Sequence, residues 1–197
     1  LYSGGVFGAD RYVATTGSDA SNNCLTATTP CLTIATAITQ AASGDVIKVA
    51  KGDYYPSAPL APGAKNLIFE GGYDEAEAPP PFATKYLGVR ATYMTRLINP
   101  GNLVFDFATV GNTSTVRNFL LQGNAWVVYS GVAPNPTIEG NIVLAKGAHG
   151  ISLRWSTGAT VRNNIVLESY DGIYLGTGST ATNNTVVNAN SYGLGGG

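Results

Sequence analysis

TVRNNIVL, residues 160–167, decides the fold, because it is one of four versions of the same segment. TVRNFLLQ starts at Thr115, TIEGNIVL at Thr137 and TATNNTVV at Thr180, so the starts lie 22, 23 and 20 residues apart. A period of that size marks a solenoid, whose repeats cannot bury an apolar face alone and must stack on their neighbours. A second register keeps the same phase: WVVYSG from Trp126, HGISLRW from His149, DGIYLGTG from Asp171 and YGLGGG from Tyr192, with Gly150, Gly172 and Gly193 in step. Two apolar strands per period, parted by Gly and Asn with no helical pattern between them, predict one coil of a β-solenoid.

In such a stack equivalent positions lie about 4.8 Å apart, so the columns of the alignment are the units of packing. Val116, Ile138, Val161 and Ala181 form one apolar column; Leu120, Ile142, Ile165 and Thr185 form a second; Val127, Ile151, Ile173 and Leu194 form a third. All three are expected to face inward, where each buried side chain contributes about 1.5–3 kcal/mol. Asn141, Asn164 and Asn184 share a column at the bend between two strands, where Asn tolerates left-handed backbone angles and stacked amides bond from coil to coil. Phe119 takes that place in the first coil, so this structural ladder is expected to end there. Arg117, Glu139 and Arg162 follow the inward Val or Ile by one position and are expected to form an outward salt-bridge ladder.

The remainder of the chain fits the same class. Its 197 residues suit one all-β domain, and only 12% are charged while 25 are Gly. A net charge of −1 and a pI near 5.7 supply no basic field for a phosphate backbone, so nucleic acid is not an expected partner. No apolar run approaches the roughly 18 residues of a spanning helix, so membrane insertion is not expected either. Cys24 and Cys31 sit in the short polar loop NNCLTATTPCL with only one His elsewhere, which favours a local disulfide over a metal site; no metal or other cofactor is expected. A disulfide implies an oxidising compartment, and closing so small a loop contributes about 2.5 kcal/mol in the chain-entropy model. The start at Leu1 fits a removed secretion signal, so export is the working expectation.

Residues 1–31 read as an N-terminal arm and Cys loop, and 32–197 as the parallel β-helix, with regular coils from about residue 115. LYSGGVFGAD precedes the strand RYVATT and reads as an arm that packs on this domain or on a neighbouring copy. LTIATAITQAASGD predicts a short helix with Thr33 as N-cap, Gly44 as stop and Ile34, Ala37, Ile38, Ala41 and Ala42 on one face, a lid over the end of the solenoid. VIKVAKGDYY begins the coils, and NLIFEGGYDE and TRLINPGNLVFDFATV continue them. Pro79 to Pro81 interrupt the pattern and belong in a loop outside the sheets.

RYVATTGSDASNNC, PCLTIATAITQAASGDVIKVAKGDYY, NLIFEGGYD and the Asn-rich coils together resemble the opening of secreted proteins of the pectate-lyase-like right-handed parallel β-helix superfamily. The resemblance covers nearly the whole chain and implies a right-handed, single-stranded parallel β-helix and export. It leaves activity open, because that superfamily includes lyases, hydrolases, tailspikes, adhesins and surface proteins without known activity.

Superfamily enzymes use converging charged groups, and this chain has few. His149 and Asp171 stand at equivalent positions before Gly150 and Gly172, so they are expected to meet on adjacent rungs, with Arg154 downstream; these three are the catalytic candidates, set against a plain surface pair. Asp74, Glu75 and Glu77 lack the spacing of a Ca²⁺ loop and read as solvated. Asn112 and Asn183 lie in glycosylation sequons. The expectation is a secreted structural, assembly or adhesive protein; YGLGGG stops without a cap, which points either to copies of the chain stacked head-to-tail into a filament, if the native chain ends there, or to a longer protein of which this is a part. The alternative is a polysaccharide-binding module, lyase or hydrolase using Tyr174, Trp155 and Arg154.

Overall fold

A computed structural model describes residues 8–77, 81–83, 85, 94–101, 103–132 and 134–196. The arm of residues 1–7 and Pro79 and Pro80 lie outside the described residues. In chain order the elements begin with β1 (Asp10–Val13), α1 (Ile34–Gln40), β2 (Val46–Ala50), β3 (Gly52–Tyr54), β4 (Ile68–Tyr73), β5 (Thr95–Asn99) and β6 (Phe105–Asp106). The regular coils follow as β7 (Thr115–Arg117), β8 (Leu120–Gly123), β9 (Val128–Tyr129), β10 (Thr137–Glu139), β11 (Ile142–Leu144) and β12 (Ile151–Leu153). The last two coils contain β13 (Thr160–Arg162), β14 (Ile165–Leu167), β15 (Ile173–Leu175), β16 (Thr180–Thr182), β17 (Thr185–Val187) and β18 (Leu194–Gly196).

Every ladder between these strands is parallel and joins a strand to its equivalent one coil away. The first sheet runs β1-β2-β4-β7-β10-β13-β16, the second β3-β5-β8-β11-β14-β17 and the third β6-β9-β12-β15-β18. A coil therefore contributes three strands, not two. The repeat segment TVRNNIVL is itself broken into β13 and β14, because Asn163 between them adopts φ 58°. Asn118, Gly140 and Asn183 take the same left-handed conformation at the same bend.

That bend corrects the second of the expected columns. Val116, Ile138 and Val161 are fully buried as expected. Leu120, Ile142, Ile165 and Thr185 face outward; their neighbours Leu121, Val143, Val166 and Val186 fill the interior. Strand alternation does not pass through a left-handed residue: Asn163 inserts one extra step, and Asn164, not Ile165, becomes the next inward position. In the third sheet Ile151 is in register with Val128 rather than Val127, although both valines are buried. Leu194 continues this column but is 62% exposed.

Labour at the bend is divided between two Asn columns. The left-handed turn belongs to the residue before the ladder, while Asn141, Asn164 and Asn184 bond along the stack. Asn141 and Asn164 donate to Asn164 Oδ1 and Asn184 Oδ1 at 3.1 and 3.0 Å. The ladder stops, as expected, where the Phe119 amide donates to Asn141 Oδ1. Close coil contact also explains two of the phased glycines, Gly150 and Gly172: a Cβ on Gly150 would lie 2.5 Å from Gly172 O and 2.6 Å from Val166 Cγ1, whereas Gly193 in the last coil has open space around it.

The N-terminal end is covered. Helix α1 starts where Thr33 accepts a hydrogen bond from the Thr36 amide, and it buries Ile34 and Ala37 against the solenoid core. Cys24 and Cys31 are joined as expected. Their loop bonds to the outer edge of β1: the Tyr12 and Ala14 amides donate to Cys24 O and Cys31 O, and the Cys31 amide donates to Tyr12 O. Beneath it Arg11 pairs with Asp45 at 2.8 Å, both buried. Burial pushes the Asp45 carboxyl up, but the Ala42 and Ala9 amides and Arg11 outweigh it and hold its pKa below the ordinary carboxylate range.

The outward charge ladder of the first sheet is longer than expected. Register aligns Lys48, Glu70, Arg117, Glu139 and Arg162. Arg162 pairs with Glu139 at 2.9 Å, but Arg117 turns to Glu70, which is buried and also receives Lys85 and the Tyr73 hydroxyl.

Candidate binding face on the third sheet

The strands of the third sheet alternate simply, so each inward residue leaves its neighbour on the opposite side. Phe105, Val128, Ile151 and Ile173 point inward. Asp106, Tyr129, Ser152, Tyr174 and Gly195 form the alternate column, with their backbones in register; Tyr129, Tyr174 and Gly195 reach solvent in part, whereas Ser152 is buried and Asp106 is partly enclosed. Three rungs separate Asp106 from Tyr174, about 14 Å along the helix axis.

Beside this column, at the turn leading into each strand, lies a second row of rings. His149 stacks flat on Trp126, with centroids 5.4 Å apart and planes 10° from parallel. Tyr170 meets the imidazole edge-to-face at 5.6 Å, and Trp126 also reaches Tyr129 at 5.4 Å. Tyr192 touches Tyr174 at 6.4 Å on the following rung. Trp126, Tyr170 and Tyr192 are between 41% and 58% exposed, so the ring row is open to solvent.

The expected meeting of His149 and Asp171 occurs: His149 Nδ1 and Asp171 Oδ2 are 2.9 Å apart. The contact fixes the imidazole plane against Trp126. Arg154 does not join this pair. Its guanidinium carbon lies 5.6 Å from the Trp155 ring and 5.0 Å from the Tyr174 ring, beyond the far end of the strand. The three catalytic candidates are thus two separate groups.

Asp106 begins the column, and sequence reasoning passed over it because its repeat partners are Tyr129, Ser152 and Tyr174 rather than acids. Burial raises its carboxyl pKa, and its Oδ1 is enclosed with no hydrogen-bond partner. Trp126, Tyr129 and Tyr170 were also overlooked as contacts. Their signal was in the sequence, since Trp126 opens WVVYSG in the same register in which His149 opens HGISLRW.

The other sequence candidates fall elsewhere. Asn112 is buried and its Nδ2 donates to Gly63 O and Lys65 O, so the folded chain offers no free amide at this sequon. Asn183 is exposed at its left-handed bend. Asp74 pairs with Lys51 at 2.8 Å and accepts from the Ala76 amide, which makes it part of a turn.

Parallel coils of three strands closed by a helical lid make the chain a parallel β-helix of the pectate-lyase-like kind. Residues 95–195, just over half of the chain, match the family model described as periplasmic copper-binding protein (NosD), and the chain belongs to the NosD family. No curated protein and no solved structure matches it.

Copper prefers thiolate, thioether and imidazole donors. Both Cys of this chain are consumed in the disulfide, and there is one Met and one His in all. The single His already pairs through Nδ1 with Asp171. Among the described residues no three His, Cys, Asp or Glu side chains gather. The donor set does not fit a copper centre.

Proposed function

We propose that the chain is a cell-envelope β-helix that holds a polysaccharide along the outer face of its third sheet. The periplasmic family and the disulfide support an extracytoplasmic setting. The observation that carries the binding reading is the flat Trp126–His149 stack, continued by Tyr170 and flanked by Tyr129 and Tyr174. Aromatic rings offer large, rigid apolar area at little entropic cost; one face of Trp126 is taken by His149, so a pyranose ring would meet the rest of Trp126 and the half-exposed Tyr170 and Tyr192 rings. Rungs about 4.8 Å apart are commensurate with successive sugars of an extended glycan, so the glycan would lie along the axis and meet one ring group per coil.

Affinity electrophoresis against a panel of neutral and acidic linear polysaccharides tests this. Wild type is expected to be retarded by at least one of them, and Trp126→Ala and Tyr170→Ala are each expected to weaken that retardation by about tenfold, on the scale of one lost aromatic contact. Retardation by none of the panel, or retardation unchanged in both variants, would overturn the reading.

A further inference from the structure

The outer faces of the three sheets differ in chemistry. The first sheet turns out Thr115, Thr137, Thr160 and Thr180 beside its charge ladder, and the third carries the ring row. The second sheet turns out aliphatic side chains. Strands β11 and β14 each keep one valine inside, Val143 and Val166, and leave Ile142, Leu144, Ile165 and Leu167 outside in register. None of these four is buried, and Ile165 is 37% exposed. The rungs on either side are mixed: β8 presents Leu120 with Gln122, and β17 presents Thr185 with Val187. The face is therefore apolar at its centre and polar toward both ends, which is the anatomy of a protein interface. It has no aromatic ring to stack a sugar, which separates it from the proposed glycan face.

Two charges at its border single out the occupant. Lys146 and Glu168 take left-handed conformations on neighbouring rungs of the turn that leaves the second sheet, and they border one shallow depression with Asn188. Both are exposed, and neither is in an ion pair among the described residues. Equal and opposite, they supply no net field to draw in an anionic lipid or a nucleic acid. They do complement themselves under a two-fold rotation. An axis lying in the face, along the strands and midway between β11 and β14, sets Ile142 over the partner's Ile165 and Leu144 over the partner's Leu167. The same rotation brings Lys146 to the partner's Glu168 and Glu168 to the partner's Lys146, and it leaves Gln122 and Thr185 at the margins.

We propose that the outer face of the second sheet is where two copies of this chain join, with their helix axes antiparallel. Four rungs span about 14 Å, so the contact falls at the small end of specific interfaces and dissociates in the micromolar range. Aliphatic side chains at its centre supply the affinity, and the two crossed charge pairs fix which rung meets which.

Sedimentation equilibrium of the whole chain from about 1 µM to about 1 mM, a range that brackets weak association, tests the contact. Wild type is expected to pass from monomer to dimer and to stop there. Ile165→Thr, which places at the centre of the face the residue that β17 carries at its own rung, is expected to weaken the dimer about tenfold, because each interface contains the substitution twice. Lys146→Glu and Glu168→Lys are each expected to weaken it about tenfold at low salt, since two attractive pairs become repulsive. An equimolar mixture of these two variants is expected to dimerise as wild type does, because every crossing pair is again opposite, and that recovery also shows both variants to be folded. Monomer throughout the range, growth beyond a dimer, or a dimer indifferent to Ile165→Thr overturns the proposal. Loss of association in both charge variants with no recovery on mixing overturns the antiparallel two-fold arrangement.

Discussion

Asn141 donates through Nδ2 to Asn164 Oδ1 at 3.1 Å, and Asn164 passes the same bond on to Asn184 at 3.0 Å. Asn141 and Asn164 therefore each face forward as donor and backward as acceptor, while Asn184 closes the ladder by donating back to Val161 O; the backbone joins in, as the Asn141 amide also donates to Asn164 Oδ1 and Asn164 Nδ2 also reaches Ile138 O. The arrangement leaves Asn164 almost wholly buried with its polar atoms satisfied.

Asn164→Ala should lower stability by about 3 kcal/mol, because it orphans buried groups on two coils at about 1–3 kcal/mol each. Asn163→Gly should change stability by less than about 1 kcal/mol, since that position supplies a left-handed turn that Gly adopts freely. Urea unfolding of the two variants separates bonding from backbone geometry; equal losses would refute the division between the columns.

Reduction of Cys24–Cys31 should cost about 2.5 kcal/mol and should act first on β1. The Tyr12 and Ala14 amides, which donate into the Cys loop, should exchange faster with solvent deuterium on reduction, while amides of β13 and β14 stay protected. Uniform acceleration would mean that the loop is not a local edge cover.

Acid should weaken the N-terminal coils. Burial pushes the Glu70 carboxyl up, but the Lys85 and Tyr73 hydrogen bonds and the Arg117 charge outweigh it and hold its pKa below the usual value; Asp45 is lowered likewise. A depressed folded pKa stabilises fully above the unfolded values of about 4.3 for Glu and about 3.9 for Asp, and that stability is lost as pH falls through the lower folded values. Melting temperature should therefore decline from about pH 4 downward, and Glu70→Gln should flatten the decline while lowering stability at neutral pH.

Asp106 has the opposite sign. Its folded pKa is raised by burial, so its stabilising contribution is present below the unfolded value and is lost as pH rises through the folded one. Asp106→Asn should consequently stabilise the protein at pH 7, with the gain disappearing below about pH 4. A difference that does not vary with pH would show that charge is not its origin.

The sequence by itself determined the solenoid, the phase of its coils, the disulfide, the lid helix and the His149–Asp171 meeting, because identical positions in stacked repeats must be neighbours whatever the details of each turn. Only the tertiary structure decided which residues between those positions face inward. The left-handed Asn163 moves the alternation by one and sends Ile165 to solvent. It also decided pairings across the irregular stretch from Ile68 to Thr115, which are register neighbours 47 positions apart. There no repeat signals that Arg117 will turn to Glu70 instead of Glu139. The aromatic face is intermediate: Trp126 and His149 share a repeat position, but their ring stack required the turn geometry. Repetition transmits neighbourhood along the coil axis, whereas side-chain direction within a coil depends on local φ angles that one-letter alternation does not record.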